Sequence, residues 1–214
     1  MPHFSENRHG YPELSVLMPA YNEEACIEAV VRDAVCVLHG MGRTFEILVV
    51  DDGSSDGMPA RLKTLCAEHP ELRVLRLEIN SGQSAALGAA FRAARGAIFV
   101  TLDADGQNDP IDIPALVARL DFCDLCCGYR AQRKDVWSKR FGSRLANAVR
   151  NRVLREKIRD TGCTLKAFRA EWTGILPMQF RGMHRFLPAL MAMAGARIEE
   201  IPVHHRPRAA GTSK

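Results

Sequence analysis

Ala97-Ile98-Phe99-Val100-Thr101-Leu102-Asp103-Ala104-Asp105-Gly106-Gln107 carries the chain from six mostly apolar residues directly into two carboxylates spaced one residue apart. A short apolar run closed by turn residues reads as a buried strand, so residues 97–102 form a strand with acids at its carboxyl end. The pattern recurs on either side. Residues 45–50 are a second such run, closed by Asp51-Asp52-Gly53-Ser54, and residues 14–18, 73–77 and 124–129 read as three more strands. Between them, residues 23–38 set Ile27, Val30, Val31, Ala34 and Val35 at helical spacing, and residues 59–68, 84–94 and 112–120 follow as helices. Strands alternating with helices over short connections predict an α/β fold, a mostly parallel central sheet with helices on both faces.

In such sheets ligands bind beyond the carboxyl ends of the strands, and the polar clusters fall there. Pro19-Ala20-Tyr21-Asn22-Glu23 follows the first strand, Asp51-Asp52 the second, Asn80-Ser81-Gly82 the third, and Asp103 to Gln107 the fourth. Asp103 and Asp105 suit a hard cation such as Mg²⁺, which takes one or two protein carboxylates and completes its shell with water and substrate phosphates. Gln107 can add a carbonyl oxygen. A diphosphate in that shell would be bridged and its leaving charge neutralised. Asp52 can accept from a base or ribose edge, and Tyr21 can border a base beside Glu23. Each has a plainer reading: the D-x-D as a turn before Pro110, Asp52 as the aspartate of a D-G-S turn, and Asn22-Glu23 as a helix start. Their coincidence on one sheet edge favours a site.

The 214 residues fit one large domain, with residues 1–12 as a flexible start. No run of eighteen apolar residues exists to span a bilayer, and the polar start lacks the apolar region of a signal peptide; a cytoplasmic location is expected. Seven cysteines, several of them (Cys26, Cys36, Cys66, Cys126) inside apolar runs, read as reduced buried thiols. Cys123 and Cys126 form a C-x-x-C without a second pair at zinc spacing. The net charge of +4 hides an uneven spread: residues 130–159 hold 11 Lys/Arg against 2 acids, and the remainder 18 against 23. Within that segment Trp137, Phe141, Leu145, Val149 and Val153 recur every four residues, with Lys139, Arg140, Arg144, Arg150 and Arg152 between them. This predicts a basic amphipathic helix that asks for phosphate, nucleic acid or a membrane surface.

The ordered series Pro19-Ala20-Tyr21-Asn22-Glu23, Asp51-Asp52-Gly53-Ser54-Ser55-Asp56, Asn80-x-Gly82 and Asp103-Ala104-Asp105-Gly106-Gln107 resembles the family-2 inverting glycosyltransferases of GT-A fold. Gly128-Tyr129-Arg130, Asp160-Thr161-Gly162-Cys163-Thr164-Leu165-Lys166, Gly182-Met183-His184-Arg185-Phe186 and Arg208-x-x-Gly211-x-Ser213-Lys214 look like its polyprenyl- or dolichyl-phosphate branch, typified by dolichol-phosphate mannosyltransferases. The resemblance implies a hexosyltransferase of cell-envelope glycan assembly, taking its sugar from a nucleotide-sugar donor. Residues 13–130 would form a Rossmann-like donor half and residues 131–214 an acceptor half. Pro19, Ala20, Tyr21, Glu23, Val50, Asp52, Asp103 and Ala104 would border the donor, with Arg208 and Lys214 closing over its phosphates. Asp103, Asp105 and Gln107 would hold Mg²⁺ or Mn²⁺. Arg130 and Arg144, with Lys139 and Arg140 as alternates, would hold the acceptor phosphate, because guanidinium binds phosphate bidentately. Asp160 stands where this branch would carry a base, beside a plainer pairing with Arg159 or Lys166.

The partners expected are therefore a nucleotide sugar, a polyprenyl phosphate and the inner face of a membrane, reached peripherally. A homo-oligomer is compatible with this. A family-2 enzyme with a saccharide hydroxyl acceptor is the nearer alternative, but it gives no reason for so basic a segment. An anionic-polymer or nucleic-acid-binding module is the non-enzymatic one. Trp137 and Phe141 lie on the apolar stripe, poorly placed to stack on bases, so nucleic acid is not expected. No G-x-G-x-x-G follows a strand, against a dinucleotide oxidoreductase.

Overall fold

The computed structural model describes residues 10–131 and 158–207, which build one seven-stranded sheet. The chain order is β1 (Leu14–Ala20), α1 (Ile27–Gly40), β2 (Phe45–Asp51), α2 (Met58–Glu68), β3 (Leu72–Arg76), α3 (Gln83–Ala93) and β4 (Ile98–Thr101). A 3₁₀ turn then leads into α4 (Ile113–Arg119), followed by β5 (Leu125–Arg130), β6 (Lys166–Arg169), two further 3₁₀ segments (Ala170–Ile175 and Met183–Phe186), α5 (Leu187–Met193) and β7 (Ile198–Val203). Across the sheet the order is β3-β2-β1-β4-β6-β5-β7. All described pairings are parallel except those of β6, which runs antiparallel to β4 and β5.

Every residue of β2 is buried, and so is all of β1 except Pro19. Strands covered on both faces cannot alternate apolar with polar; what alternates is the face served. Leu14, Val16, Met18, Ile47 and Val49 join α1, α2 and α4 in one core. Leu17, Leu48 and Val50 join α3 and α5 in the other, where Phe91 and Phe99 stack and Phe168 meets both edge-on.

Within the described residues the elements expected from periodicity are present, with instructive shifts. Helix α1 begins at Ile27, not at residue 23, because Asn22 takes a left-handed φ of 52°. Its side chain accepts from Ser55 N at 2.8 Å, and Glu24 N donates to Asp56 at 3.0 Å, so this stretch bonds to the loop after β2 instead of extending the helix. Cys36 is exposed, contrary to the expectation of a buried thiol, since Val35 and Leu38 take the core face of α1. Cys66 is half-buried, and the other five thiols are buried; all seven are free. The expected basic helix lies outside the described residues.

At the amino ends of the strands a buried acid ties four segments together. Glu46, only 4% exposed, accepts from Ser15 Oγ at 2.6 Å, from Arg95 N at 2.6 Å and from Arg73 at 2.5 Å. Ser15 Oγ in turn accepts from Gly96 N at 2.8 Å. Glu46→Ala would strand these donors. It should cost about 3 kcal/mol, the lower end for breaking a buried charged pair because Arg73 reaches water. That corresponds to a fall in Tm of roughly 6–12 °C for a chain of this size. Calorimetry checks it, and an unchanged Tm would show that water replaces the carboxylate without cost.

Candidate active site

The loops leaving β1, β2, β3 and β4 are bonded to one another across the carboxyl edge of the sheet. Asn22 N donates to Ser54 Oγ at 2.9 Å, and Asp52 N donates to the Ala20 carbonyl at 2.8 Å. The Asp52 carboxylate, 3% exposed, then reaches the next loop, accepting from Ser81 N and Gly82 N at 2.8 Å each. Gly82 has φ 89°, a conformation other residues rarely adopt, and from it helix α3 departs. Gly53 is equally constrained, with φ 72° and a Cβ position only 2.7 Å from the Ile79 backbone. The third loop is thus seated directly on the second.

From α3, Gln83 Nε2 donates to Asp103 Oδ1 at 2.9 Å, while the Thr164 hydroxyl donates to Asp103 Oδ2. Asp103 is thereby fixed from two sides. Burial pushes its pKa up to about 6; the Thr164 hydrogen bond works against this, Asp105 adds to it, and the charges of Lys166 and Arg130 oppose it. Asp105 Oδ1 accepts from Gln107 N at 3.0 Å, closing the turn. The segment after β7 buttresses the same turn. Arg206 N donates to the Gln107 carbonyl at 2.8 Å, Asn108 bridges to His205, and Asp112 holds His204 at 2.8 Å.

Asp103, Asp105 and Gln107 fit a hard divalent cation in the chemistry of their donors, two carboxylates and an amide carbonyl. Among the described residues no cluster of three or more His, Cys, Asp or Glu gathers as a metal cage. A cation held by these groups would complete its shell with water and substrate oxygens.

Next to Asp103 lies a small cavity bordered by Pro19, Gln83, Thr164, Lys166 and His184. Lys166 is 3% exposed, and its ammonium donates to the Cys163 carbonyl. Burial, with Arg185 and Lys166 nearby, pushes His184 down to about 4, so the ring is neutral at neutral pH. Ser84 Oγ accepts from His184 N at 3.2 Å and shares a second hydrogen bond with Nδ1 at 2.8 Å, pinning the 3₁₀ segment Met183–Phe186 to α3.

At the end of β5, Arg130 forms a two-pronged pair with Asp160, Nε to Oδ2 at 2.7 Å and Nη2 to Oδ1 at 2.9 Å. Gly162 N adds a bond to Oδ1 at 3.1 Å. Asp160 thus pairs with Arg130. Arg159 lies over the Tyr129 ring, and its N–H donates to Glu200.

Residues 15–174 match the model of Glycosyl transferase family 2. The chain belongs to glycosyl transferase family 2. Dodecaprenyl-phosphate galacturonate synthase of Rhizobium johnstonii is 38% identical over 210 residues, covering 94% of this chain and 61% of that protein. The chain thus spans about three-fifths of the length of this curated relative. Glucosyl-3-phosphoglycerate synthase of Mycobacterium tuberculosis, solved with Mn²⁺, UDP and glucosyl-3-phosphoglycerate, superposes with a TM-score of 0.71 at 23% identity, covering 92% of this chain and 73% of that one. The same enzyme with Mg²⁺ and UDP gives 0.68 at 23% identity, covering 92% and 72%. These likenesses establish the GT-A fold of this family-2 chain.

Of the residues expected at the family-2 site, Pro19, Tyr21, Glu23, Asp103, Asp105 and Gln107 are partly open at the strand ends. Ala20, Val50 and Ala104 are buried, which leaves only their main-chain groups to meet a ligand. Lys139, Arg140, Arg144, Arg208 and Lys214 lie outside the described residues. Sequence reasoning gave no site role to Gln83 or Ser84, and quoted Thr164 and His184 only within branch-like motifs. A polar side chain at the first helical position after Gly82 was the available signal for Gln83.

Outer hydrogen bonds of this kind tune metal ligands, and losing one typically weakens metal binding about 10–100-fold. Gln83→Leu, which keeps a good helix former at the start of α3, should weaken Mn²⁺ binding by that factor with Tm nearly unchanged. Titration with Mn²⁺ in the presence of UDP or GDP reads this out. Equal Mn²⁺ affinity in variant and wild type would reduce Gln83 to a packing role.

Proposed function

We propose that this chain transfers a sugar from a nucleotide diphosphate to a polyprenyl phosphate, with residues 13–130 as donor half and residues 131–214 as acceptor half. The carrying observation is one carboxyl edge that joins two charge sets: Asp103 and Asp105 on β4's loop, and Arg130, held by Asp160, whose charge acts on Asp103. The acids suit a cation against the donor diphosphate, and the guanidinium suits a second phosphate. The name of the 38%-identical relative supports a polyprenyl-phosphate acceptor and makes galacturonate the first sugar to try. The Mn²⁺ and Mg²⁺ complexes of the structural neighbours support a divalent metal.

Pro19, Tyr21, Glu23 and Asp52 border the nucleoside in this reading, Asp52 partly through the loop it holds. Arg208 and Lys214 close over the donor phosphates. A bound Mg²⁺ or Mn²⁺ would neutralise charge developing on the departing diphosphate. The acceptor phosphate, with a second pKa of about 6, is already anionic at neutral pH, so little general-base help is needed. Asp160, with its oxygens engaged by Arg130 and Gly162, aims the guanidinium instead of abstracting a proton. A peripheral position on the inner membrane face, where Lys139, Arg140 and Arg144 meet anionic headgroups, accords with such an acceptor. Among the described residues no helix is long and apolar enough to cross a membrane.

Incubating the protein with Mn²⁺, a panel of nucleotide sugars including UDP-galacturonate, and polyprenyl phosphate should yield a polyprenyl-phospho-sugar by mass spectrometry. Asp105→Ala should lower turnover by about 10²–10³-fold, the usual loss when a transition-state charge partner is removed. Transfer to a saccharide hydroxyl, with none to the lipid phosphate, would sink the proposal in favour of the other family-2 class.

The two roles for Asp160 separate kinetically. Asp160→Asn should raise the acceptor KM several-fold, with a smaller change in kcat and an unshifted acid limb of the pH profile. Collapse of kcat at constant KM, with loss of that limb, would make Asp160 the base after all.

A further inference from the structure

Residues 172–196, which pack beside the site through the Ser84–His184 contact, contain no aspartate or glutamate. Their surface is unusually apolar. Ile175 is 45% exposed, Phe180 58%, Phe186 43% and Met193 70%. Phe186 and Met193 are seven residues apart at the two ends of α5, on one face, while Leu187 and Met191 fill the core from the other. Arg181 and Arg185 stand among these residues, both exposed and, among the described residues, with no acidic partner. Arg181 packs 3.6 Å from the Cβ position of Gly82, so the patch reaches the rim of the site.

We propose that this surface, Ile175, Phe180, Phe186 and Met193 flanked by Arg181 and Arg185, docks the protein on an anionic lipid bilayer. The inference rests on the lipid-phosphate acceptor reading and is distinct from the basic segment at residues 130–159. Apolar side chains flanked by Arg181 and Arg185, with Glu171 the one acid in the adjoining 3₁₀ segment, match the boundary between headgroups and acyl chains. A lipid phosphate drawn into the site leaves its hydrocarbon tail at the site's rim, and the patch begins there. Charge selects the bilayer over the other candidates for covering it. The chain's own segment at residues 130–159 carries a net +9, and a second copy would bring the same arginines; either would set cations against Arg181 and Arg185. Anionic headgroups attract them.

The test is co-sedimentation of the full chain with phosphatidylcholine vesicles, with and without phosphatidylglycerol. Wild type should bind the anionic vesicles. Phe180→Asp/Met193→Asp should lower the partition coefficient at least about tenfold, from the apolar area removed. Arg181→Ala and Arg185→Ala should each lower it by about fivefold, an effect that shrinks as salt rises. The aspartate variant should keep its Tm and its turnover on a short, water-soluble prenyl phosphate. Undiminished vesicle binding by that variant overturns the surface while leaving the acceptor reading intact, provided the short acceptor is used. Failure with both lipid and soluble prenyl phosphate sinks the acceptor reading itself. A markedly lower Tm in the aspartate variant would assign these side chains to the chain's own interior. A lipid-free dimer that the variant dissociates would assign them to a copy interface, and either result overturns the proposal.

Discussion

Asp52 is the residue on which the carboxyl edge of the sheet depends. A buried carboxylate is costly unless it is hydrogen-bonded, and this one has its bonds from two consecutive backbone N–H groups in a loop about thirty residues further on. The pairing is reciprocal in effect: the acid is made tolerable by the loop, and the loop has its path set by the acid. From that path Gly82 launches α3, and α3 delivers Gln83 to Asp103 and Ser84 to His184. A shift at Asp52 would therefore be felt at the Asp103–Asp105 carboxylates two loops away and at the rim of the apolar surface, through bonded neighbours in each case.

The two ends of the sheet are built on the same device but to different purposes. At the amino end Glu46 gathers Ser15, Arg73 and the Arg95 N–H into a closed knot, fully paired. At the carboxyl end Asp103 is left under tension. Two neutral donors hold it, yet burial still disfavours its charge and Asp105 adds repulsion. A closed network serves stability. An acid pair whose charge is incompletely compensated by the protein, with Lys166 and Arg130 only opposing the shift, is an arrangement that a divalent cation would relieve.

The strands and the polar ends of β1 to β4 were legible because a parallel sheet covered on both faces demands continuous apolar runs, and each run here stops at a conspicuous acid or amide. Helix positions followed from periodicity to within a few residues; α1 was misplaced at its start because Asn22 bonds forward to Ser55 across thirty-three residues. β6 and β7 were not legible. Lys166–Arg169 is four residues long with a cation at each end, and Ile198–Val203 contains two glutamates and a proline, so neither shows the buried-strand pattern. Site residues announced by local motif, such as Asp103 and Asp105, could be named. Those defined by distant partners could not: nothing near Thr164 indicates that its hydroxyl will meet Asp103, sixty-one residues earlier.

The same distinction bears on Arg130 and Asp160. Read along the chain, they are a cation for the acceptor and a candidate base, two independent functions. Read in space, they are one unit, and a carboxylate bound to a guanidinium through both oxygens is a poor base, because the cation stabilises its charged form. What the pair offers instead is orientation. A long arginine side chain loses conformational freedom on binding an anion, and one already held in place by Asp160 has lost much of it beforehand. If the acceptor arrives as an anion, as proposed, it needs a fixed cation more than it needs proton abstraction, and Arg130 held by Asp160 is such a cation.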